Sequence, residues 1–255
     1  MKREMEMFKK EVQTNINELE NDAEFHKISE QWFCHSMEKK YSYNFRWMGR
    51  PIIQYPQDIV AMQEIIWEVK PDLIIETGIA HGGSLIFYAS MLELLGGNGH
   101  ILGIDIDIRE HNRREIEQHS MYKRITMFEG SSLADEIVEE VFKFAENYKK
   151  ILVVLDSYHS EEHVLQECKR YSSLVKKGSY LVVMDTCCEM VYQNRQENRE
   201  ELPECLNRPW GLGDNPMTAV EKFLTTSDRF EIDKSIDAKL QISCAPNGYL
   251  RCIKD

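Results

Sequence analysis

The chain has seven cysteines (Cys34, Cys168, Cys187, Cys188, Cys205, Cys244 and Cys252) but no C-x-x-C pair. The adjacent Cys187 and Cys188 are not a zinc spacing, and an odd count argues against a disulfide framework. The thiols are therefore read as reduced, in a cytoplasmic protein. No run of about 18 apolar residues occurs, so no membrane span is expected. The N-terminal MKREMEMFKKEV has no apolar centre and does not read as a secretory signal. Positive charge is scarce: 31 Lys and Arg stand against 43 Asp and Glu, for a formal net charge of −12. Nucleic-acid binding draws much of its affinity from a basic surface, so no nucleic-acid partner is expected. The mixed cluster Arg109 to Arg114 reads as a solvated helix face. Internal repeats and low-complexity tracts are also missing.

What remains is a soluble globular composition, 42% hydrophobic and 29% charged over 255 residues. That length suffices for one large α/β domain with a full core. Residues 1–70 read as an N-terminal helical and aromatic cap, with Trp32, Phe33, Tyr41, Tyr43, Phe45 and Trp47 clustered before Arg50-Pro51. The cap either packs as a plain cover or forms a wall of the site. Ile59, Val60, Met62, Ile65, Ile66 and Val69 recur at helical spacing over residues 57–69, stopped by Pro71. From residue 71 to residue 255 strands and helices alternate. Strands are expected at 73–76, 101–105, 125–129, 151–155 and 180–184, with two more near 230–232 and 249–253. Helices are expected at 84–95, 109–119, 133–147, 161–175 and 217–224. Near-continuous apolar strands in such alternation mean a Rossmann-like, doubly wound, mostly parallel sheet. Residues 186–216 read as one long polar loop, a length more often functional than idle.

The richest segment is LIIETGIAHGGS, Leu73 to Ser84. An apolar strand runs into Glu76, then Gly78, Gly82 and Gly83, and then a helix. Such a turn exposes free N–H groups and the positive end of a helix to a ligand. Asp105 follows at the end of the next strand, 27 residues after Gly78. An acid there is placed to accept hydrogen bonds from a ribose diol. The pair does not distinguish a dinucleotide from S-adenosylmethionine, because both carry adenosine.

Two further acids close strands: Asp156 in ILVVLDSYHS and Asp185 in YLVVMDT. In an open α/β sheet both face the edge where ligands bind. Together they can hold a hard cation such as Mg²⁺. His159, three residues past Asp156, suits a general base. His163 reads as an exposed helix residue.

ETGIAHGGS, GIDIDIR, LDSYHSEEHVLQE, GSYLVVMDT and RPWGLGDNP-TAVEKFL resemble the cephalosporin hydroxylase family, over residues 47–223. That family groups with S-adenosylmethionine-dependent O-methyltransferases, including enzymes that methylate sugar hydroxyls. The resemblance implies a methyltransferase domain over 71–255 and a small hydroxylated acceptor, with a saccharide fitting best. A looser similarity to the catechol O-methyltransferases implies that Glu76, Gly78, Ser84, Asp105 and Ser132 bind S-adenosylmethionine. Ala80 and Gly82 belong to the same turn, Ala80 standing where a stricter pattern has glycine. By the same similarity Asp156 and Asp185 are the metal ligands, for Mg²⁺ or another divalent cation, and His159 replaces a catalytic lysine. Met184 stands where the closer family often has an acid, and Thr186 where the catechol enzymes have an amide ligand, so one metal oxygen is missing. Asp156 and His159 are the expected catalytic pair. Two rival readings stay open: a silent cofactor-binding protein of the same fold, supported by Met184, and a nicotinamide-dependent oxidoreductase. The latter lacks a Tyr-x-x-x-Lys pair in the expected place. Self-association into a homo-oligomer is open.

Overall fold

The computed structural model describes residues 2–198 and 207–255. Its centre is a seven-stranded sheet. In chain order the strands are β3 (Leu73–Thr77), β4 (His100–Asp105), β5 (Ile125–Glu129), β6 (Ile151–Leu155), β7 (Tyr180–Val183), β8 (Phe230–Ile232) and β9 (Tyr249–Cys252). In space the order is β5-β4-β3-β6-β7-β9-β8. The first five pair in parallel, Leu73 lying beside both His100 and Ile151, whereas β9 runs antiparallel to β7 and to β8. The chain winds outward from β3 in one direction and from β6 in the other. The crevice between those two strands is the switch point at which such sheets bind ligands.

Alternation along each strand builds two apolar layers. Ile74, Ile101, Leu152, Val154 and Val182 face one layer. There they meet α3 (Pro56–Val69), α4 (Gly83–Leu95) and α8 (Cys187–Asn198), with Ile116 of α5 (Glu110–Glu117) and Ile236 of α10 (Lys234–Leu240). Ile75, Leu102, Val153, Leu155 and Leu181 face the other layer. It is covered by α6 (Asp135–Ala145), α7 (Glu161–Tyr171) and α9 (Pro216–Thr226). Sheet strands buried on both faces account for the unbroken apolar runs in the sequence.

The cap contributes α1 (Lys2–Glu20), α2 (Ala23–Glu38) and a two-residue hairpin, β1 (Arg46–Trp47) with β2 (Arg50–Pro51). Phe33, Ile52 and Tyr55 belong to the same apolar cluster as the sheet. Asp58 on α3 is fully buried and accepts from Ser243 Oγ, Cys244 N and Tyr249 Oη at 2.6–2.8 Å, tying the helix to β9. Pro56 sits at the first turn of α3, and Lys70, in the left-handed conformation at φ 50°, ends that helix one residue before Pro71.

One expectation needs correction. Residues 186–216 are not one loop, because α8 occupies Cys187–Asn198. Its buried face is Cys187, Cys188, Val191, Tyr192 and Arg195. The spacing is helical, but two cysteines and an arginine gave no apolar periodicity to read. Pro203 and Cys205 lie outside the described residues. None of the six described cysteines is in a disulfide, and among the described residues no helix is long and apolar enough to cross a membrane.

Candidate active site

At the carboxyl edge of the sheet lies a cavity of about 550 Å³, bounded by the ends of β3, β4, β5, β6 and β7 and by the cap. The glycine turn forms one side. Gly78 has φ +89°, and a Cβ there would stand 1.9 Å from the Asp156 carbonyl oxygen. The ends of β3 and β6 can meet only because this residue lacks a side chain. Gly83 is equally constrained, by the Pro51 carbonyl oxygen at 2.0 Å, and Gly82 by the Ile116 side chain at 2.4 Å. The glycines thus admit neighbouring parts of the chain. Gly78 and Gly83 also line the cavity; Gly82 does not. Ala80 lines it as well, in a left-handed conformation at φ 46°.

Asp105 braces the turn. Its Oδ2 accepts from Ile79 N at 2.7 Å and from Ala80 N at 3.2 Å, and its Oδ1 accepts from Asp107 N at 3.1 Å. The carboxylate is half-buried, lines the cavity and retains acceptor capacity. Glu76 lies beneath the turn, fully buried and outside the cavity lining. Ser84 Oγ donates to its Oε2 at 2.6 Å, while Oε1 has no hydrogen-bond partner although the Tyr88 hydroxyl is adjacent. Burial raises the Glu76 carboxyl to about 8. Ser132, at the end of β5, is buried at the cavity wall.

Across the cavity stand Asp156, His159 and Asp185, whose ligand-type atoms all lie within 4.8 Å of one another. His159 Nε2 is 3.3 Å from Asp185 Oδ2. Asp185 has φ 56°, a conformation that Asp tolerates, as the chain leaves β7 for α8. Burial, reinforced by the neighbouring Asp185 carboxylate, pushes Asp156 well above the usual carboxylate range. Two carboxylates this close in a sheltered site call for a proton or a cation between them. Oxygen donors beside an imidazole suit a hard divalent cation, so the residues present fit a metal.

A family model described as Rhamnosyl O-methyltransferase/CmcI matches residues 39–253. The chain belongs to that family. The Rhamnosyl O-methyltransferase of Mycobacterium leprae (strain TN) is 29% identical over 206 residues, 80% of this chain and 81% of that protein. The one from Mycobacterium tuberculosis (strain ATCC 25618 / H37Rv) is 30% identical over 210 residues, covering 80% and 76%. A solved structure of CmcI with Mg and SAM superposes with a TM-score of 0.53 at 18% identity, over 83% of this chain and 77% of that one, a likeness of fold. Membership makes the protein an S-adenosylmethionine-dependent O-methyltransferase of the CmcI and rhamnosyl type, and it sets aside the oxidoreductase and silent-binder readings.

Several features of this family member escaped sequence reasoning. His163 is not an exposed helix residue: it lines the cavity, with Nε2 3.1 Å from Ser157 Oγ, 3.3 Å from Ser132 Oγ and 3.5 Å from Glu167 Oε1. Ser160 caps α7, which turns His163 inward beside the fully buried Glu167. An acid one helical turn after a histidine was the available signal. Residues of the N-terminal segment also wall the cavity. Tyr43, Pro51, Ile52, Ile53 and Gln54 line the cavity, the buried Gln54 amide lying beside the Tyr88 hydroxyl. His81 and Arg50 were also overlooked: the Arg50 guanidinium donates to the His81 carbonyl oxygen at 2.7 and 3.0 Å, locking the hairpin onto the glycine turn. Met184 is 2% exposed within the apolar core, and Thr186 Oγ1 donates to the Pro246 carbonyl oxygen at 2.7 Å. Both are committed to packing.

Glu76 yields a test. Its carboxyl holds a proton in the folded chain up to about pH 8, against 4.5 as its ordinary value. Folded protein therefore binds more protons than unfolded across that window, and stability falls as pH rises through it. The Glu76→Gln variant carries no such proton. In pH-series denaturation without cofactor, it should gain about 3–5 kcal/mol relative to wild type between pH 5 and pH 9. Parallel stability curves would show that Glu76 is ionised throughout.

Proposed function

We propose that the protein transfers a methyl group from S-adenosylmethionine to a saccharide hydroxyl, with His159 as general base and a divalent cation at Asp156 and Asp185. The observation that carries this reading is the Asp156–His159–Asp185 cluster facing the glycine turn across one cavity. The names of the mycobacterial relatives support a sugar acceptor.

On this reading Asp105 accepts hydrogen bonds from the ribose hydroxyls while it holds the turn. Gly78, Ala80, Gly82, Ser84 and Ser132 shape the cofactor's seat, and Glu76 supports it through Ser84. A cation bound by Asp156 and Asp185 would lower the pKa of the acceptor hydroxyl. His159 takes the hydroxyl proton on Nδ1, while Nε2, 3.3 Å from Asp185 Oδ2, donates to that carboxylate, which stabilises the resulting imidazolium. The oxygen lone pair forms the new O–CH₃ bond as the methyl–sulfur bond breaks. The electron pair returns to sulfur, which leaves as a neutral thioether. Positioning of the oxygen in line with the methyl supplies much of the rate.

Removing a general base costs about 10²–10⁴ in rate. His159→Ala should lose that much kcat, measured by methyl transfer to an alkyl rhamnoside, while its S-adenosylmethionine affinity stays near wild type. Retention of kcat would place the base elsewhere. Separately, activity should vanish in excess chelator and return with Mg²⁺, and Asp185→Asn should raise the Mg²⁺ concentration needed. Full turnover in chelator would leave His159 and Asp156 acting without metal.

A further inference from the structure

The RPWGLGDNP segment, residues 208–216, has no part in the transfer proposed above. It is nonetheless anchored at several points. Asp214 Oδ1 accepts from Glu161 N at 2.8 Å, at the first residue of α7. Glu189 Oε2, on α8, accepts from Gly213 N at 2.9 Å and from the Asn215 side-chain amide. Gly211 and Asp214 exchange backbone hydrogen bonds at 3.0 and 3.1 Å. These ties fix the half-buried Trp210. Its ring meets His159 edge to face at 5.3 Å and 72°, and meets Tyr158 in the same way at 5.0 Å and 79°.

We propose that Trp210 is a positioning residue for His159, holding the imidazole on the Asp185 side of the cavity where the acceptor proton must be collected. The proposal rests on His159 being the base. The imidazole stands on a five-residue link, 156–160, between β6 and α7. Staggered alternatives about the Cα–Cβ bond would swing the ring away from Asp185. The indole ring and the Asp185 carboxylate select one of them. Displacement of a reacting group by about 1 Å can cost about 10²-fold in rate, so a residue that never touches substrate can still govern kcat. Tying the same turn to α7 and α8 links the base to the two helices that begin beside Asp156 and Asp185.

The test is a double-mutant cycle on full-length protein, with labelled S-adenosylmethionine as donor and an alkyl rhamnoside as acceptor. Trp210→Ala should lower kcat about tenfold or more while leaving the affinity for S-adenosylmethionine unchanged. Trp210→Phe, which keeps an aromatic edge, should restore most of it. In the His159→Ala background, Trp210→Ala should cost nothing further, because its effect passes through the missing ring. Additive losses, or a parallel fall in cofactor affinity, would overturn the proposal. Wild-type kcat in His159→Ala would instead overturn the base assignment on which it stands. A readout that needs no turnover completes the test: the proton NMR signal of His159, assigned by its loss in His159→Ala. Trp210→Ala should shift it toward the position of a solvent-averaged histidine, and an unmoved signal would contradict the proposal.

Discussion

The tightest of the glycine junctions in the described residues is between Gly78 and the carbonyl oxygen of Asp156, where a single added carbon would lie 1.9 Å from its neighbour. Asp156 N also donates to the Thr77 carbonyl oxygen at 2.9 Å. This junction clamps the ends of β3 and β6 at the switch point. It therefore sets the distance between the glycine turn on one side and the Asp156–His159–Asp185 cluster on the other. Asp105 fixes the turn from the β4 side, and Arg50 fixes it from the cap. The cavity is thus bounded by strand ends, with His159 on the link that follows β6.

The electrostatics follow from the same crowding. Asp156, Glu76, Asp58 and Glu167 are held within mutual influence around the cavity floor, and burial is the first cause raising Asp156, Glu76 and Asp58 above the ordinary carboxylate range. Asp58 resolves its burial with three donors, and Glu167 accepts from Ser157 Oγ at 2.8 Å. Asp156 has no such set of donors, so its environment favours a proton or a cation. On the proposed reading, that requirement sits where the acceptor hydroxyl loses its own proton.

Much of this was legible in the sequence because strand-end acids and glycine turns carry their geometry with them. Leu73–Ser84, Asp105, Asp156 and Asp185 could be placed on one sheet edge from apolar runs and spacing alone. The features that were not legible depend on contacts across the fold. His163 looked solvent-facing because its one local signal, the acid Glu167 a helical turn on, does not reveal the contact with Ser132, which lies 31 residues away in sequence. Helix α8 was hidden by polar and cysteine residues on its buried face. Met184, read from sequence as standing beside the metal ligands, has its side chain packed in the core. The N-terminal segment's part in the cavity wall came from Gln54 and Tyr43, two residues with no motif around them.

The central claim is that the turn braced by Asp105 is the seat of S-adenosylmethionine. Calorimetric titration of wild type and Asp105→Ala with S-adenosylmethionine and with NAD addresses it most directly. S-adenosylmethionine should bind wild type and NAD should not, and Asp105→Ala should lose about 1.5–3 kcal/mol of affinity, the range for hydrogen bonds to a charged group. Unchanged affinity in a folded Asp105→Ala protein, or NAD bound in place of S-adenosylmethionine, would contradict the account.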